Sequence, residues 1–533
     1  MVPLPQVATR HRSGLTVLHP AARRTLAGVA GLLAAAVALG VAELVAGVIA
    51  SEASPVVAVG NAVIALTPEP VKAFGIRTFG GDDKRALIIG TLVLLAMYAI
   101  GTGLVALRDL RLAQAGIGLF GFLGIAAAVT RPAGSALDGV PSFAGAVAGI
   151  LALRLLIGPL DRLLPDDGAA EDDEPGVDRR GFLQAAGIAL GAAALGGGGG
   201  RLLERRFAVA SERNALRLPR PASPAPRLPA GADLAPGVPG LTPLVTSSRE
   251  FYRVDTAITL PQIAPEAYRL TVAGLVARPR TYTLDDLLHR GDLIERDVTL
   301  TCVSNEVGGV LAGNARWLGV PLGAFLREIG VAASSTQLVC RSHDGMTIGA
   351  ATRAALETPG AMLAVGMNGR PLPVAHGFPV RMIIPGQYGY VSACKWLTSI
   401  EATTFEAFDA YWVRQGWATE GPIRLASRID TPASGRSFVA GRRPIAGVAW
   451  AQTRGIARVE VQVDDRPWVD ARLSPDADPD VWRQWVLPYD FARGTHRLTV
   501  RATAADGEVQ TARRADPYPA GATGWHSVTV VAT

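Results

Sequence analysis

The sequence is poor in cysteine, lysine and histidine. Three cysteines in 533 residues cannot build a disulfide scaffold, so a packed core must hold the fold. Lysine occurs only at Lys72, Lys84 and Lys395, and the other 49 of the 52 basic residues are arginine. Beside so much Ala, Gly and Pro this reads as compositional bias, and the net charge of +6 says little about partners. No Lys/Arg cluster interleaved with aromatics occurs in the polar half, which sets nucleic-acid binding aside. No histidine falls inside a long apolar run; His11 and His19 precede the first. An intramembrane bis-histidine haem is thereby excluded, and the lack of Cys-x-x-Cys-His excludes c-type haem. With 49% hydrophobic residues, disorder is excluded for most of the chain.

What is present is a set of long apolar runs confined to the first 200 residues, which accounts for a mean hydropathy of +0.26. Residues 26–50, 86–107, 112–129 and 140–158 are each near the ~20 residues a bilayer-crossing helix needs. Residues 181–200 form a fifth, milder run. Residues 56–66 are apolar but short, and Pro68 and Pro70 follow, so this piece reads as re-entrant or interfacial. Arg10, Arg12, Arg23 and Arg24 precede the first span, Arg108 and Arg111 separate the second and third, and Arg162, Arg179 and Arg180 precede the fifth. With five spans these arginines share one side, which the positive-inside rule makes cytoplasmic; Lys84 and Arg85 are a minor exception. The expectation is a multi-pass protein of the cytoplasmic membrane with its polar half on the extracytoplasmic side. Asp178-Arg179-Arg180-Gly181-Phe182-Leu183-Gln184 leads into the fifth run. It reads either as an internal twin-arginine export signal or as two positive-inside arginines. Glu43, inside the first span, is a functional candidate by position or a packing carboxylate.

The expected organisation is a membrane domain over 1–200, a Pro/Ala-rich linker over 201–243, a mixed domain over 244–411 and a β-domain over 412–533. Residues 217–243 are dense in Pro, Ala and Gly and read as a semi-rigid tether. Beyond them, 258–260, 268–272, 298–302, 337–340 and 380–384 read as strands, and 284–289 and 322–329 as helices. The order shows no regular βαβ alternation, which predicts an α+β fold. From about Trp412 onward, short strands at 446–451, 457–463, 485–487, 497–502 and 527–531 predict a β-sandwich of immunoglobulin type, serving packing or dimerisation.

Two segments carry chemistry. In Thr299-Leu300-Thr301-Cys302-Val303-Ser304-Asn305-Glu306 a cysteine ends a strand and enters a polar loop. That placement exposes a thiol where sites are commonly built, although a lone cysteine is more often buried and inert. The second runs Met367-Asn368-Gly369-Arg370-Pro371-Leu372-Pro373, His376-Gly377-Phe378-Pro379-Val380-Arg381, then Pro385-Gly386-Gln387-Tyr388-Gly389-Tyr390 and Lys395-Trp396. Its His376, Arg381 and Lys395 are donors suited to an anionic ligand, and its glycines allow close backbone approach. Cys340 and Cys394 are either a disulfide or two separate buried thiols.

In this order the two segments resemble the sulfite oxidase family of molybdenum enzymes, from about Leu244 to the C-terminus. The resemblance implies a molybdenum–pyranopterin cofactor, with Cys302 as the protein's thiolate ligand to the metal. It implies pterin and phosphate contacts from His376 and Arg381, and a cofactor-binding loop holding Gly389, Tyr390, Ser392 and Lys395, with Asn305 beside the cysteine. Phe251-Tyr252-Arg253-Val254-Asp255 resembles the family's Phe-x-x-Arg-Asn-His segment. Phe251, Arg253 and Asp255 are thus further contacts, with Asp255 standing where the pattern has His. Thr347 is another candidate contact. Arg253 and Trp317 are expected to shape the substrate pocket, and Trp417 aligns near the family's active-site tyrosine.

The departures bear on substrate. Where sulfite oxidases place two arginines after the cysteine and asparagine, this chain has Glu306 and Val307. An oxyanion needs buried positive charge, which Glu306 opposes. The leading expectation is a membrane-tethered enzyme of two-electron oxygen-atom transfer on a small molecule. Having no haem or iron–sulfur motif, it needs a separate cytochrome or membrane redox protein, and the C-terminal domain would support a homodimer. The alternatives are a sulfoxide reductase of the same fold and a non-catalytic membrane-anchored binding protein.

Overall fold

The computed structural model describes residues 15–17, 20–49, 53–67, 71, 78, 83–131, 134–160, 176–204, 209–257 and 259–533. The chain divides into two compact units, residues 1–208 with 256–259 and residues 209–255 with 260–533.

The first unit is helical: α1 (Pro20–Ile49), α2 (Pro55–Leu66), α3 (Asp83–Ala106), α4 (Leu110–Val129), α5 (Val140–Ile157) and α6 (Arg179–Glu204), with a small antiparallel pair of β1 (Leu15–Val17) and β2 (Gly176–Asp178). Five stretches are long and apolar enough to cross a membrane: Ala21–Ile49, Ala86–Ala106, Leu110–Val129, Ala136–Leu160 and Arg180–Gly200. Their outward faces carry Leu94, Phe122, Leu155 and Leu195, each more than 60% exposed, the pattern of helices meant for hydrocarbon. Small residues let the helices approach closely. A Cβ on Gly31 would strike the Ala99 carbonyl of α3, and one on Gly103 the Ala27 carbonyl of α1. The 12-residue α2 spans ~18 Å, short of the ~30 Å hydrocarbon core. Its neighbour Ser54 donates a 2.6 Å hydrogen bond to the Glu43 carboxylate, which gives that half-buried acid a packing role.

The second unit is α+β followed by β. One sheet has the order β10–β9–β6–β5, from β5 (Ile294–Thr301), β6 (Ala312–Pro321), β9 (Met362–Met367) and β10 (Arg370–Pro371), with β11 (Arg381–Ile383) also on β9. It is antiparallel throughout. The other has the order β4–β3–β12–β7–β8, from β3 (Arg269–Gly274), β4 (Arg280–Thr283), β7 (Gln337–Ser342), β8 (Thr347–Ala351) and β12 (Leu397–Thr403), with β3 and β12 parallel. Helix Leu322–Ile329 buries Leu322, Phe325, Leu326 and Ile329, one face of a 3.6-residue period, and stops at Gly330 with φ +75°. Helix Leu284–Leu288 starts on a Thr283/Asp286 capping box.

From β13 (Ala426–Thr431) to β21 (His526–Ala532) the chain forms a four-stranded and a five-stranded sheet. Ile445, Val461, Trp485, Leu498 and Val530 fill the space between them. β5 is tied to this sandwich: Thr299 N donates to Asp480 O at 3.0 Å, and Trp482 N donates to Thr299 Oγ1 at 2.8 Å.

Two expectations need correction, and one open choice, that for the cysteine pair, falls to the second of its alternatives. Residues 217–243, read as a semi-rigid tether, are docked along the second unit and do not serve as a spacer. Ala222 N donates to Leu293 O at 2.8 Å, Leu234 N donates to Gln484 Oε1 at 2.6 Å, and Val238 and Leu241 are buried with Ala446 and Val486. A Pro-rich strand has no internal backbone bonds, so its remaining N–H groups and its spaced apolar side chains dock on the neighbouring body. At 258–260, Thr259 and Leu260 are not in a strand and Ile258 lies outside the described residues. Cys340 and Cys394 are free, buried thiols.

Candidate active site

The site is built on the end of β5. This strand is buried from Asp297 through Thr301, and the chain then turns. Cys302 N donates to Leu311 O (2.9 Å), Asn305 N donates to Cys302 O (3.1 Å), and Leu311 N donates to Asn305 Oδ1 (2.8 Å). Asn305 therefore closes a 302–311 loop around the cysteine. Cys302 is half-buried, unlike Cys340 and Cys394, and its Sγ lies 2.9 Å from Ser304 Oγ. Burial pushes its thiol pKa up, while the Ser304 hydrogen bonds and the Lys395 charge pull it down.

A second arm comes from 248–255. Phe251 stacks on Tyr252 and meets Trp317 edge-on at 5.6 Å and His376 at 5.5 Å. Gly313 leaves the room for its ring. Arg253 makes a two-pronged pair with Asp255 (2.8 and 3.1 Å), and the same carboxylate takes Lys395 Nζ at 2.6 Å. Its side chain is 2% exposed.

The third arm is 376–395. His376 Nε2 lies 2.9 Å from Ser248 O, so Nε2 carries the proton and Nδ1 is left as an acceptor. Arg381 Nη1 donates to His376 O at 3.1 Å, and its guanidinium lies over the Trp317 ring at 5.2 Å. Gly377 (φ +107°) brings the backbone against Lys395; a Cβ there would sit 3.1 Å from Lys395 Cα. A Cβ on Gly389 would sit 3.8 Å from Thr301 O and 4.0 Å from Tyr252 Oη. The Gly389 turn, the strand end before Cys302 and the Tyr252 phenol thus meet around one point.

The electrostatics are those of a site built for an anion. Burial lowers the pKa of Arg381 to about 10 and that of Lys395 to about 8. Burial, then the Arg381 charge, lowers that of His376 to about 4. Among the described residues no carboxylate pairs with Arg381, and its buried Nε has no partner. A buried guanidinium in this state is costly unless something negative completes it. Among the described residues no three His, Cys, Asp or Glu side chains cluster as a metal site, so a metal at Cys302 would bring its other ligands with a cofactor.

The remaining candidates divide. Thr347 opens β8, against which helix Gly389–Ser392 packs, and its Oγ1 accepts from Tyr411 N at 3.0 Å. Ser392 Oγ is spent on its own turn, donating to Gln387 O and Tyr388 O. Tyr390 donates to Ala418 O at 2.7 Å, and its ring packs with Trp417, which in turn meets Trp412 and Tyr518. Trp417 is a member of this aromatic cluster, not of the group around Arg381. Trp317 is fully buried and donates to Val298 O at 3.1 Å. It floors the site beneath Phe251 and Arg381 and does not line an open pocket, because central strand β6 turns it inward. Sequence reasoning passed over two phenols. Burial and the Cys302 thiolate raise the pKa of Tyr252, and that of Tyr388 is pushed up to about 12, with burial as the larger cause. Both lay inside the quoted motifs; only the fold shows that they flank the cysteine.

Residues 257–412 match the family described as oxidoreductase molybdopterin binding domain. The mitochondrial sulfite oxidase of Macaca fascicularis is 29% identical over 296 residues, covering 47% of this chain and 54% of that protein. An NADPH nitrate reductase of Beauveria bassiana is 34% identical over 157 residues, covering 26% of this chain and 17% of that protein. Among solved structures, the sulfane dehydrogenase SoxCD from Paracoccus pantotrophus aligns with TM-score 0.45 and 24% identity, covering 50% of this chain and 74% of that one. The chain thus spans about half the length of the sulfite oxidase it matches. Residues 257–412 thus form an oxidoreductase domain of the molybdopterin-binding class. Within that class the chain is similar to the mitochondrial sulfite oxidase over about half of that protein's length.

Proposed function

We propose that the chain is a membrane-tethered molybdenum–pyranopterin oxidoreductase that carries out two-electron oxygen-atom transfer outside the cytoplasmic membrane. The observation that carries this is a half-buried thiol, Cys302, beside a cationic cluster whose buried Arg381 has no carboxylate partner among the described residues. When bound, the cofactor supplies a metal centre that exchanges one oxygen atom and two electrons with a substrate. In the oxidising direction the net reaction takes an oxygen from water and releases two protons, with two electrons leaving to a protein acceptor. That acceptor is a cytochrome or membrane redox protein.

The chain's own residues do the holding. Cys302 gives the metal a thiolate, for which it must lose its proton. Arg381 and Lys395 hold anionic parts of the cofactor, and the ring of His376, fixed by Ser248, offers Nδ1 as an acceptor. Asp255 keeps Arg253 and Lys395 in place. Phe251, Thr347, Gly389 and Ser392 shape the walls by packing and backbone. Tyr252, kept protonated by burial, offers a hydrogen bond to a substrate oxygen. The immunoglobulin-like sandwich serves dimerisation, and the Arg179-Arg180 pair serves twin-arginine export of the folded, loaded domain.

Glu306, exposed on the cysteine loop, favours a neutral sulfur substrate over sulfite, since an oxyanion would need a cation there. That keeps a sulfoxide reductase of the same fold as the second reading. The test is molybdenum content of the full chain from a cofactor-competent host, followed by dye-linked assays with sulfite and sulfoxides. We expect near one metal per chain. Cys302→Ser should alter the metal's sulfur signature and lower turnover by more than ~100-fold, because even outer residues of metal sites are worth about 10–100-fold. A well-folded chain without molybdenum overturns the reading and leaves a binding protein.

A further inference from the structure

We propose that Arg428 and His526, both carried by the C-terminal sandwich, are positioning residues for Cys302. Within its own domain the 302–311 loop is held by the bonds at Cys302, Asn305 and Leu311, and its tip carries one internal turn bond, Gly309 N donating to Glu306 O at 2.9 Å. Its tip is held from across the seam. Arg428 Nη1 donates to Gly309 O at 2.9 Å. Gly308 has φ +82° and lies so close to the His526 ring that no Cβ would fit.

Both holders are themselves fixed. Arg428 is 5% exposed. Its Nε donates to Asp430 Oδ1 at 2.6 Å and its Nη2 to Thr242 Oγ1 at 3.0 Å, while Thr242 N donates to Asp430 Oδ2 at 3.1 Å. Three partners therefore set the plane of the guanidinium. His526 Nδ1 accepts from Ile429 N at 3.0 Å, which sets that ring and requires Nδ1 to be unprotonated. Burial and the Arg428 charge keep the imidazole neutral, lowering its pKa to about 4. The two residues come from different strands, β13 and β21, so the clamp exists only when the sandwich is folded. A shift of the tip is passed to the cysteine through Asn305, whose Oδ1 would lie only 2.6 Å from a Cβ on Gly309. The sandwich thereby takes part in aiming the sulfur, the kind of outer support that metal sites depend on.

This inference gains its functional weight from the metal role proposed for Cys302, but its test does not need the metal. The full chain is prepared without cofactor, and iodoacetamide labelling is followed at each thiol by mass spectrometry. Cys340 and Cys394, 0% and 1% exposed, report loss of the fold. The paired change Arg428→Gln with Asp430→Asn removes the buried ion pair together and leaves no lone charge. We expect it to raise the Cys302 labelling rate at least tenfold while Cys340 and Cys394 stay protected. A wild-type Cys302 rate with both protected overturns the proposal. If all three thiols label, His526→Phe, which keeps a ring but loses Nδ1, decides by the same comparison. In loaded protein the same variants should shift the sulfur-to-molybdenum absorption band at unchanged metal content. Wild-type protein that never takes up molybdenum fails the metal reading alone, and the labelling result stands apart from it.

Discussion

Cys302 and the next residue, Val303, face two differently built environments. On the Cys302 side stand Lys395, Arg381 and His376, all with pKa lowered by burial, and of the three only Lys395 meets a carboxylate, Asp255, among the described residues. On the Val303 side lies an apolar cluster with Tyr390, Val391, Trp417, Ile423 and Trp450. The first region is unfinished as protein: charge has been buried ahead of its partner. The second is finished, because its rings already fill their own space. What separates them is charge: the first buries a guanidinium with no carboxylate partner among the described residues, whereas the second lacks partners only for the neutral indole N–H groups of Trp417 and Trp450. The two regions should therefore answer to mutation in opposite ways.

The sharpest contrast comes from Arg381→Met. An apolar replacement removes a buried charge with no carboxylate partner, so the cofactor-free chain should gain ~1–4 kcal/mol of stability. The loaded chain should lose hydrogen bonds to an anion, each worth about 1.5–3 kcal/mol, which is roughly a ten- to hundredfold loss of cofactor retention. Thermal unfolding of both forms, with molybdenum retention after dialysis, reads the two signs. A cofactor-free variant less stable than wild type would place Arg381 among ordinary core supports.

A smaller effect is expected from pH. Folded His376 titrates near 4 instead of the usual 6.5. The unfolded chain thus takes up this proton first as pH falls. The contribution is intact above pH 6.5, fades between 6.5 and 4, and is at most ~3 kcal/mol. Cofactor-free wild type should lose stability over that window more steeply than His376→Gln, and loading with the anionic cofactor should flatten the difference. Parallel pH profiles for wild type and variant would remove His376 from the cationic region.

How much of this was legible in the chain follows the same division. Cys302, His376, Arg381 and Lys395 were candidates by type, but a lone cysteine is more often inert, and it was the resemblance of the two segments to one family, taken in order, that joined them into a site. Strands β9 and β12 escaped notice. β9 is buried at every position, and a continuous apolar run shows no alternation to read. The Pro-rich stretch misled because composition describes a segment alone and not the surface it docks on. Trp317 and Trp417 were drawn toward the chemistry by the family resemblance, whereas their burial is decided by strands and turns far off in sequence. The grip of Arg428 on Gly309 spans 119 residues, and no local pattern encodes it.

The mildest prediction tests the finished side. Trp417 is 8% exposed, and its indole N–H has no partner among the described residues. Trp417→Phe should leave a small void, while deleting an unsatisfied donor returns part of the loss, about 1–3 kcal/mol for a buried group. The two nearly offset, so stability should change by no more than ~1 kcal/mol and turnover by less than about twofold. Tyr390, which keeps its hydrogen bonds to Ala418 O and Glu420 O, would hold the neighbouring backbone in place. A large fall in turnover at unchanged stability would mean that the idle N–H reaches a substrate. The aromatic side of the cysteine loop would then count as unfinished too, and the line between the two regions would have to be redrawn through Trp417.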